Sequence, residues 1–189
     1  MSARRLDILW EPWDGRGIEH LRLSVDDQHA YAESELLDEQ GEQPVRVRYR
    51  VRTDSAWLTR SVEVTVMDAK PRLLRLHHDG DGRWRGQDGA ALPALDGCFD
   101  VDLECTPFTN TLPIRRLGFE VGGGAEVRAA WVRHPGLGVE VFDQRYTRLS
   151  ESVYRYEALS GFSVDLEVDG DGVVLDYGEY WRRVEPHGR

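Results

Sequence analysis

Acidic side chains alternate with apolar ones along one short segment near the middle of the chain. The segment C-F-D-V-D-L-E-C contains Asp100, Asp102 and Glu104 at every second position. Residues two apart on a β-strand point to the same face and lie about 6.5–7 Å apart. That spacing lies near the lower end of the carboxylate separation in inverting glycosidases, about 6.5–9.5 Å. Asp100 and Asp102 are therefore candidates either for acid–base chemistry on a sugar or lipid, or for pairing with arginines and binding hydroxyl groups.

The adjoining segment contains the only asparagine of the chain and two adjacent arginines. It reads T-P-F-T-N-T-L-P-I-R-R-L and places Asn110 a few residues before Arg115 and Arg116. An amide both donates and accepts hydrogen bonds, which suits a polar ligand, but asparagine also serves in turns and caps. We expect a short helix within 106–117. In a helical turn the two arginine side chains can lie closer together, whereas on a strand they point to opposite faces and only one would face a ligand.

Aromatic residues supply a second set of candidate ligand contacts. The chain contains six tryptophans, and Trp or Tyr rings can stack on a sugar while their polar tips find hydrogen-bond partners. Trp84 lies between glycine-rich turns, and Tyr154 and Tyr156 share one face of a predicted strand. Each of the three is a candidate for either a groove or the core. Because strands are rich in aromatic residues, we expect Trp57 and Trp131 in the core.

Composition and missing motifs exclude several function classes. The net charge of −10 and a pI near 5.1 argue against a nucleic-acid-binding surface and against a generic anionic membrane surface. The chain contains no P-loop, no dinucleotide-binding glycine motif, no nucleophile elbow and no H-E-x-x-H. Its six histidines lack metal-ligand spacing. We therefore expect neither a metal site nor a cofactor.

The N-terminal residues and the cysteines bear on localisation. The first residues, M-S-A-R-R-L-D, carry charges where a secretory signal needs an apolar core, and no apolar run is long enough for a membrane span. Cys98 and Cys105 fall in what the alternation predicts to be a single strand, on opposite faces, so that they cannot pair there. These features predict a cytoplasmic protein with reduced thiols and no membrane span.

Period-two alternation extends over almost the whole chain and predicts an all-β fold. In P-V-R-V-R-Y-R-V-R-T the apolar residues share one face and the arginines at 46, 48, 50 and 52 share the other, where we expect them to be solvated or paired with cross-strand acids. The runs D-G-D-G at 79–82 and 169–172 predict hairpin turns. We expect about a dozen strands in one domain spanning residues 1–189, with one or two short helices around 106–117 and 90–96.

Several motifs occur in a fixed order along the chain. They are D-G-R-W-R-G, L-x-G-C-F-D-V-D-L, T-P-F-T-N-T-L-P-I-R-R-L, A-W-V-R-H-P-G-L, Q-R-Y, Y-R-Y-E, and V-D-G-D-G-V-V-L-D-Y followed by W-R-R. Together they resemble the glycolipid-binding family, a set of small bacterial proteins first catalogued as a domain of unknown function. The resemblance implies a spiral β-roll: one long antiparallel sheet wound around itself and half open, similar to the bacterial lipoprotein carriers that hold acyl chains.

The resemblance implies non-covalent binding of a glycolipid or a related amphipathic lipid. An apolar interior would take the acyl portion, while Asp100, Asp102, Asn110, Arg115 and Arg116 would contact the polar head. Two alternatives stay open: an enzyme using Asp100 and Asp102, and a structural or interaction protein whose central segment is a closed ion-pair network. Convergence of the acids and Asn110 on an open cavity would favour binding or catalysis, and a closed network without a cavity would favour a structural role.

Overall fold

The structure is a computed structural model that describes residues 3–39 and 43–184 of the chain. Fourteen strands and one short α-helix form the fold, together with 3₁₀ turns at Pro93–Leu95 and Phe108–Asn110. The helix α1 spans Thr111–Leu117. The strands are β1 Arg4–Pro12, β2 Gly17–Val25, β3 Ala30–Asp38, β4 Val45–Thr53, β5 Thr59–Val66, β6 Arg72–His78, β7 Trp84–Gly86, β8 Asp100–Leu103, β9 Gly124–Val132, β10 Val139–Arg148, β11 Val153–Ala158, β12 Ser163–Val168, β13 Val174–Tyr177 and β14 Trp181–Val184.

All fourteen strands belong to one open sheet. The strands that come first and last in the sequence, β1 and β14, are neighbours in the middle of this sheet. The order is β7-β6-β5-β4-β3-β2-β1-β14-β13-β12-β11-β10-β9-β8, so two meanders are joined where β1 pairs with β14. The predicted all-β fold, with one large open sheet and little helix, is confirmed. No helix in the described part of the chain is long and apolar enough to cross a membrane.

One pair of strands departs from the predicted antiparallel arrangement. β8 runs parallel to β9, with Asp100 opposite Ala129 and Leu103 opposite Val132. Parallel neighbours need a connection that crosses back over the sheet. The segment between these strands does so, because it contains the 3₁₀ turn and α1. The crossover lays α1 against the sheet beside the acidic strand.

The C-terminal half of the sheet packs apolar side chains on both of its faces. On β10, Val139 and Val141 contact the core shared with the N-terminal half, whereas Phe142 and Tyr146 belong to a second core. Odd and even positions of a strand point to opposite faces, so the two cores lie on opposite sides of this strand. Ile114 of α1 is buried in the second core. The sheet is thus wound so that one half covers one face of the other.

Polar patterning in the N-terminal half follows the expected cross-strand pairs. Arg48 donates from Nε to Glu35 at 3.0 Å, and Arg50 bridges Glu33 and Glu63 at 2.8 and 3.2 Å. These pairs are partly exposed, and such pairs contribute little to stability. Two of the four arginines of this face, Arg48 and Arg50, therefore pair with acids across strands.

Both D-G-D-G segments form the predicted hairpin turns. The Asp79 carboxylate accepts the backbone N–H groups of Asp81 and Arg83 between β6 and β7. The Asp169 carboxylate does the same for Asp171 and Val173 between β12 and β13. Each aspartate therefore fixes its own turn.

The strand containing the acids is shorter than the alternation predicts. β8 covers only Asp100–Leu103, and both cysteines lie outside it as buried free thiols. Phe99, the apolar residue just before this strand, is 39% exposed. The chain bends on both sides of these four residues, so the alternation of faces does not extend to the cysteines.

Candidate functional site

A cavity of about 410 Å³ opens in the C-terminal half, beside the end of β8. Half of its lining residues are aromatic, and four of these, Phe142, Tyr156, Phe162 and Tyr177, belong to the second core. The remainder come mainly from the end of β8 and the loop that follows it. The lining residues are Asp102, Leu103, Glu104, Thr106, Asn110, Trp131, Phe142, Tyr156, Ala158, Ser160, Phe162, Tyr177, Tyr180 and Trp181.

Asp102 forms the acidic floor of this cavity. Its Oδ1 accepts a hydrogen bond from Thr109 Oγ1 at 3.1 Å, and its Oδ2 accepts one from Gln144 Nε2 at 2.5 Å. Both donors are neutral, and the described residues place no cationic side chain within bonding distance of the carboxylate. Each carboxylate oxygen accepts up to two hydrogen bonds. Asp102 therefore has acceptor capacity left for a ligand.

Burial alters the ionisation of Asp102. Removal of water from the charged form raises the pKa of Asp102 to about 6, and the hydrogen bonds from Thr109 and Gln144 partly oppose that rise. The neighbouring charge of Glu104 adds to it. Asp102 is nevertheless ionised at neutral pH, so the floor presents a carboxylate.

A chain of hydrogen bonds holds the amide groups around the floor. The Tyr146 hydroxyl donates to Asn110 Oδ1 at 2.8 Å, and Asn110 Nδ2 donates to the Pro107 carbonyl at 3.0 Å. The same hydroxyl lies 3.5 Å from Gln144 Oε1, which is at the limit of a hydrogen bond. Asn110 thus uses its amide as both donor and acceptor, and its side chain makes no helix-cap bond.

Aromatic rings form the walls. Trp131 and Phe142 stack with centroids 4.4 Å apart. On the opposite side, Tyr156 packs edge-on against Phe162 at 6.0 Å and against Tyr177 at 6.4 Å. Partly buried ring faces beside a carboxylate and an amide are the combination that carbohydrate ligands need.

The exposed lining residues mark the mouth of the cavity. They are Glu104, Ser160 and Tyr180. Glu104 is held by the backbone N–H of His134 at 2.7 Å and by Arg133 Nε at 3.2 Å. A second cavity of about 370 Å³ shares Glu104 and Trp181 with the first, so the two adjoin.

A second buried acid, Glu19, lies behind the floor. Its Oε1 accepts the hydroxyls of Ser34, Tyr49 and Thr106 at 2.8, 2.6 and 2.9 Å, and Thr106 also lines the cavity. Within the described residues Oε2 has no hydrogen-bond partner. Burial raises the pKa of Glu19 to about 7. Glu19 therefore ties β2, β3 and β4 to the loop that carries Asn110.

Asp100 belongs to a structural clasp and does not line the cavity. Arg116 donates from Nε and Nη2 to its two carboxylate oxygens at 3.0 and 2.6 Å, and Asp100 is buried. Burial raises the pKa of Asp100, and the Arg116 guanidinium offsets part of that rise. The pair fastens α1 to β8, so neither residue is free to contact a ligand.

Three other candidate residues also lie away from the cavity. Trp84 is buried, and its Nε1 donates to the Cys98 carbonyl at 2.8 Å. Arg115 stacks over Trp57 at 5.0 Å and, together with Tyr154, lines a separate cleft. Trp84 cannot reach the cavity because it is buried in the core. Arg115 and Arg116 are successive residues of α1, so their side chains leave the helix in different directions. Of the eight candidates, the cavity contains Asp102, Asn110 and Tyr156.

Sequence reasoning missed much of the wall and the hydrogen-bond network. Trp131, which we expected in the core, lines the cavity. Gln144 occupies an inward position between Phe142 and Tyr146 on β10, where a polar residue among aromatic ones is itself a signal. Glu19 occupies an inward position of β2 just before the buried Leu21 and Leu23, and could have been found in the same way. The described residues contain no group of three or more His, Cys, Asp or Glu side chains that could hold a metal ion.

Comparisons with known proteins agree with this architecture. A family model described as "Putative glycolipid-binding" matches residues 7–183. The crystal structure of a DUF1089 family protein from Pseudomonas aeruginosa is similar, with 42% sequence identity, a TM-score of 0.81, and coverage of 89% of this chain and 92% of that one. No protein with a curated description matches significantly. The chain thus belongs to the family described as "Putative glycolipid-binding".

Proposed function

We propose that the cavity binds the carbohydrate head group of a glycolipid without covalent chemistry. The observation that carries the proposal is the combination of seven aromatic side chains with a carboxylate that is held only by neutral donors. The free lone pairs of Asp102 accept two neighbouring hydroxyls of a sugar. The rings of Trp131 and Tyr156 cover its apolar faces. The description of the family agrees with this ligand class.

The arrangement favours binding over the paired-carboxylate chemistry considered above. A glycosidase of the common kind needs two carboxyl groups facing one bond. Arg116 donates to both carboxylate oxygens of Asp100, so Asp100 cannot act with Asp102 as a catalytic pair. Glu104, the other acid of the cavity, is held at the mouth by Arg133 and His134. The purely structural alternative accounts for Asp100 but not for the open cavity at Asp102.

The lipid part of the ligand has a different place from the one expected. The layer between the two halves of the sheet is filled by a core that includes Trp10, Trp84 and Phe108. An acyl chain would have to displace this core, at the cost of packing that the fold requires. We place the sugar in the cavity and the acyl chains outside its mouth.

Calorimetric titration with a panel of methyl glycosides tests the proposal. We expect at least one glycoside to bind and Asp102→Asn to weaken it about tenfold or more, because a hydrogen bond to a charged group contributes about 1.5–3 kcal/mol. Asp165→Asn is the matched control, since Asp165 pairs with Arg155 on the exposed face of β12. Absence of binding across the panel, or equal loss in both variants, would contradict the proposal.

The pH dependence of the same titration gives a second readout. Sugar hydroxyls donate to the carboxylate form of Asp102, whose pKa lies at about 6. Affinity should therefore be full above this value and fall as the pH decreases through it. In Asp102→Asn this dependence should disappear, and an unchanged pH profile in the variant would show that another group is responsible.

A further inference from the structure

The mouth of the cavity is bordered by three hairpin tips with exposed apolar side chains. Trp13 lies in the β1–β2 turn and is 46% exposed, Leu159 in the β11–β12 turn is 68% exposed, and Tyr180 in the β13–β14 turn is 50% exposed. Exposed apolar residues scattered singly are ordinary. Three of them on adjacent turns around one opening are not scattered.

Contacts between the turns show that they form one rim. The backbone N–H of Trp13 donates to the Tyr180 carbonyl at 3.1 Å. The ring of Tyr180 packs edge-on against Phe162, from the same turn as Leu159, with centroids 5.4 Å apart. Tyr180, Phe162 and Ser160, the residue after Leu159, all line the cavity. The rim is therefore continuous with the binding site.

We propose that this rim, formed by Trp13, Leu159 and Tyr180, docks onto the surface of an electrically neutral lipid bilayer. The inference rests on the proposed function: if the cavity holds the sugar of a glycolipid, the attached acyl chains remain in the bilayer and the mouth must face it. Trp and Tyr favour the headgroup level of membranes, where one end of the side chain is apolar and the other is wet. The Leu159 side chain supplies an apolar contact with the acyl chains below the headgroups.

Charge around the rim selects the kind of bilayer. Asp14 follows Trp13 and Glu179 precedes Tyr180, and both acids are exposed, whereas Arg16 is the one exposed cation of the β1–β2 turn. Arg182 lies over the Trp13 ring at 4.5 Å, but its guanidinium is paired with Glu11. With a net charge of −10 on the chain, an anionic surface would repel this face. Neutral glycolipids in a zwitterionic bilayer would not.

Vesicle sedimentation of the full-length protein tests the inference. The probes are phosphatidylcholine vesicles that carry monogalactosyl- or monoglucosyl-diacylglycerol. Leu159→Asp and Trp13→Ala should each weaken vesicle binding about tenfold or more, because each removes a large apolar contact. Leu73→Asp is the matched control, because Leu73 is also an exposed leucine, 41% accessible, but lies on β6 outside the rim. Replacing part of the phosphatidylcholine by phosphatidylglycerol should weaken the binding of the wild type.

The outcomes separate this inference from the proposed function. Neither Trp13 nor Leu159 lines the cavity, so both rim variants should bind soluble methyl glycosides as the wild type does. Glycoside binding without vesicle binding, or equal losses in Leu159→Asp and Leu73→Asp, would overturn the rim and leave the sugar site. A dimer in solution that Leu159→Asp dissociates would also overturn it, with a second copy as the occupant. Rim-dependent vesicle binding without glycoside binding would overturn the proposed function instead.

Discussion

Two carboxyl groups, the partly buried Asp102 and the buried Glu19, lie close to the cavity loop, and their surroundings give them different properties. Asp102 accepts one neutral donor on each oxygen and faces open space. Glu19 accepts three hydroxyls on one oxygen and is completely enclosed. The first arrangement leaves acceptors for a ligand, whereas the second uses the acid to join strands to a loop. In the proposed function, the same chemical group thus serves binding in one place and assembly in the other.

Glu19 should make the stability of the protein depend on pH. Its pKa is raised from an ordinary 4.5 to about 7 in the folded protein, so the folded state holds the proton when the unfolded chain has lost it. The free energy of unfolding should consequently decrease as the pH rises from 4.5 to 7, by about 3 kcal/mol from this group. Glu19→Gln, which has no proton to lose, should not show this decrease.

Urea denaturation at a series of pH values measures the effect. The informative quantity is the difference in unfolding free energy between wild type and Glu19→Gln as a function of pH, because other titrating groups are common to both. Asp165→Asn serves as a control with an exposed carboxylate. A difference that stays constant from pH 4.5 to 8 would show that Glu19 is ionised in the folded state throughout.

At the residue scale, the sequence pointed to individual polar side chains but not to the residues with which they form hydrogen bonds. Asn110 is a candidate because asparagine occurs once in the chain, and the donor and acceptor bonds of its amide agree with that reasoning. Its partner Tyr146 comes from β10, thirty-six positions away. Such partners depend on which strands become neighbours, and a period-two pattern carries no information about that.

At the element scale, α1 is held against β8 by the Asp100–Arg116 clasp. Arg116 lies in the last turn of this short helix, which ends at Gly118 in the left-handed conformation, with φ of 55°. A seven-residue helix is marginal by itself in water. Its burial and the clasp fix its place in the second core. That placement in turn positions Asn110 and Thr109 beside the cavity.

Removing one member of the clasp should destabilise the protein strongly. Arg116→Met leaves the buried Asp100 carboxylate unpaired, which we expect to cost about 3–5 kcal/mol. The double variant Asp100→Asn/Arg116→Met removes the uncompensated charge and should recover most of this loss. Thermal and denaturant unfolding of the two variants gives the comparison. Equal destabilisation in both would mean that the pair contributes through packing and not through charge.

The strands and short helices were largely predictable from the sequence, but the parallel direction of β8 relative to β9 was not. Alternation predicted an all-β fold of about a dozen strands, because one face of each strand is apolar along most of the chain. The short helical segments expected around 106–117 and 90–96 contain α1 and the two 3₁₀ turns. β8 runs parallel to its neighbour only because the following crossover returns the chain to the same edge. Local pattern is identical for parallel and antiparallel strands of this length, so the sequence contained no sign of the difference.

At the scale of the whole molecule, one pairing unites the two meanders. β1 and β14 are the first and last strands and lie next to each other in the middle of the sheet, with Trp10 opposite Arg183. Arg182 of β14 also pairs with Glu11 of β1. Contacts between chain ends cannot be derived from neighbouring residues. The cavity depends on them, because Trp181 and Tyr180 line it from this junction.

The six tryptophans offer a direct test of the central claim, that the cavity binds the sugar of a glycolipid. Trp131 and Trp181 line the cavity, whereas Trp10 and Trp84 are buried in the core with their indole N–H groups bonded to the Val174 and Cys98 carbonyls. The measurement is a titration of ¹⁵N-labelled protein with the methyl glycosides, followed by the indole N–H signals. We predict saturable shifts of Trp131 and Trp181, with Trp10 and Trp84 unmoved. Shifts in none of the indoles, or shifts confined to those outside the cavity, would contradict the account.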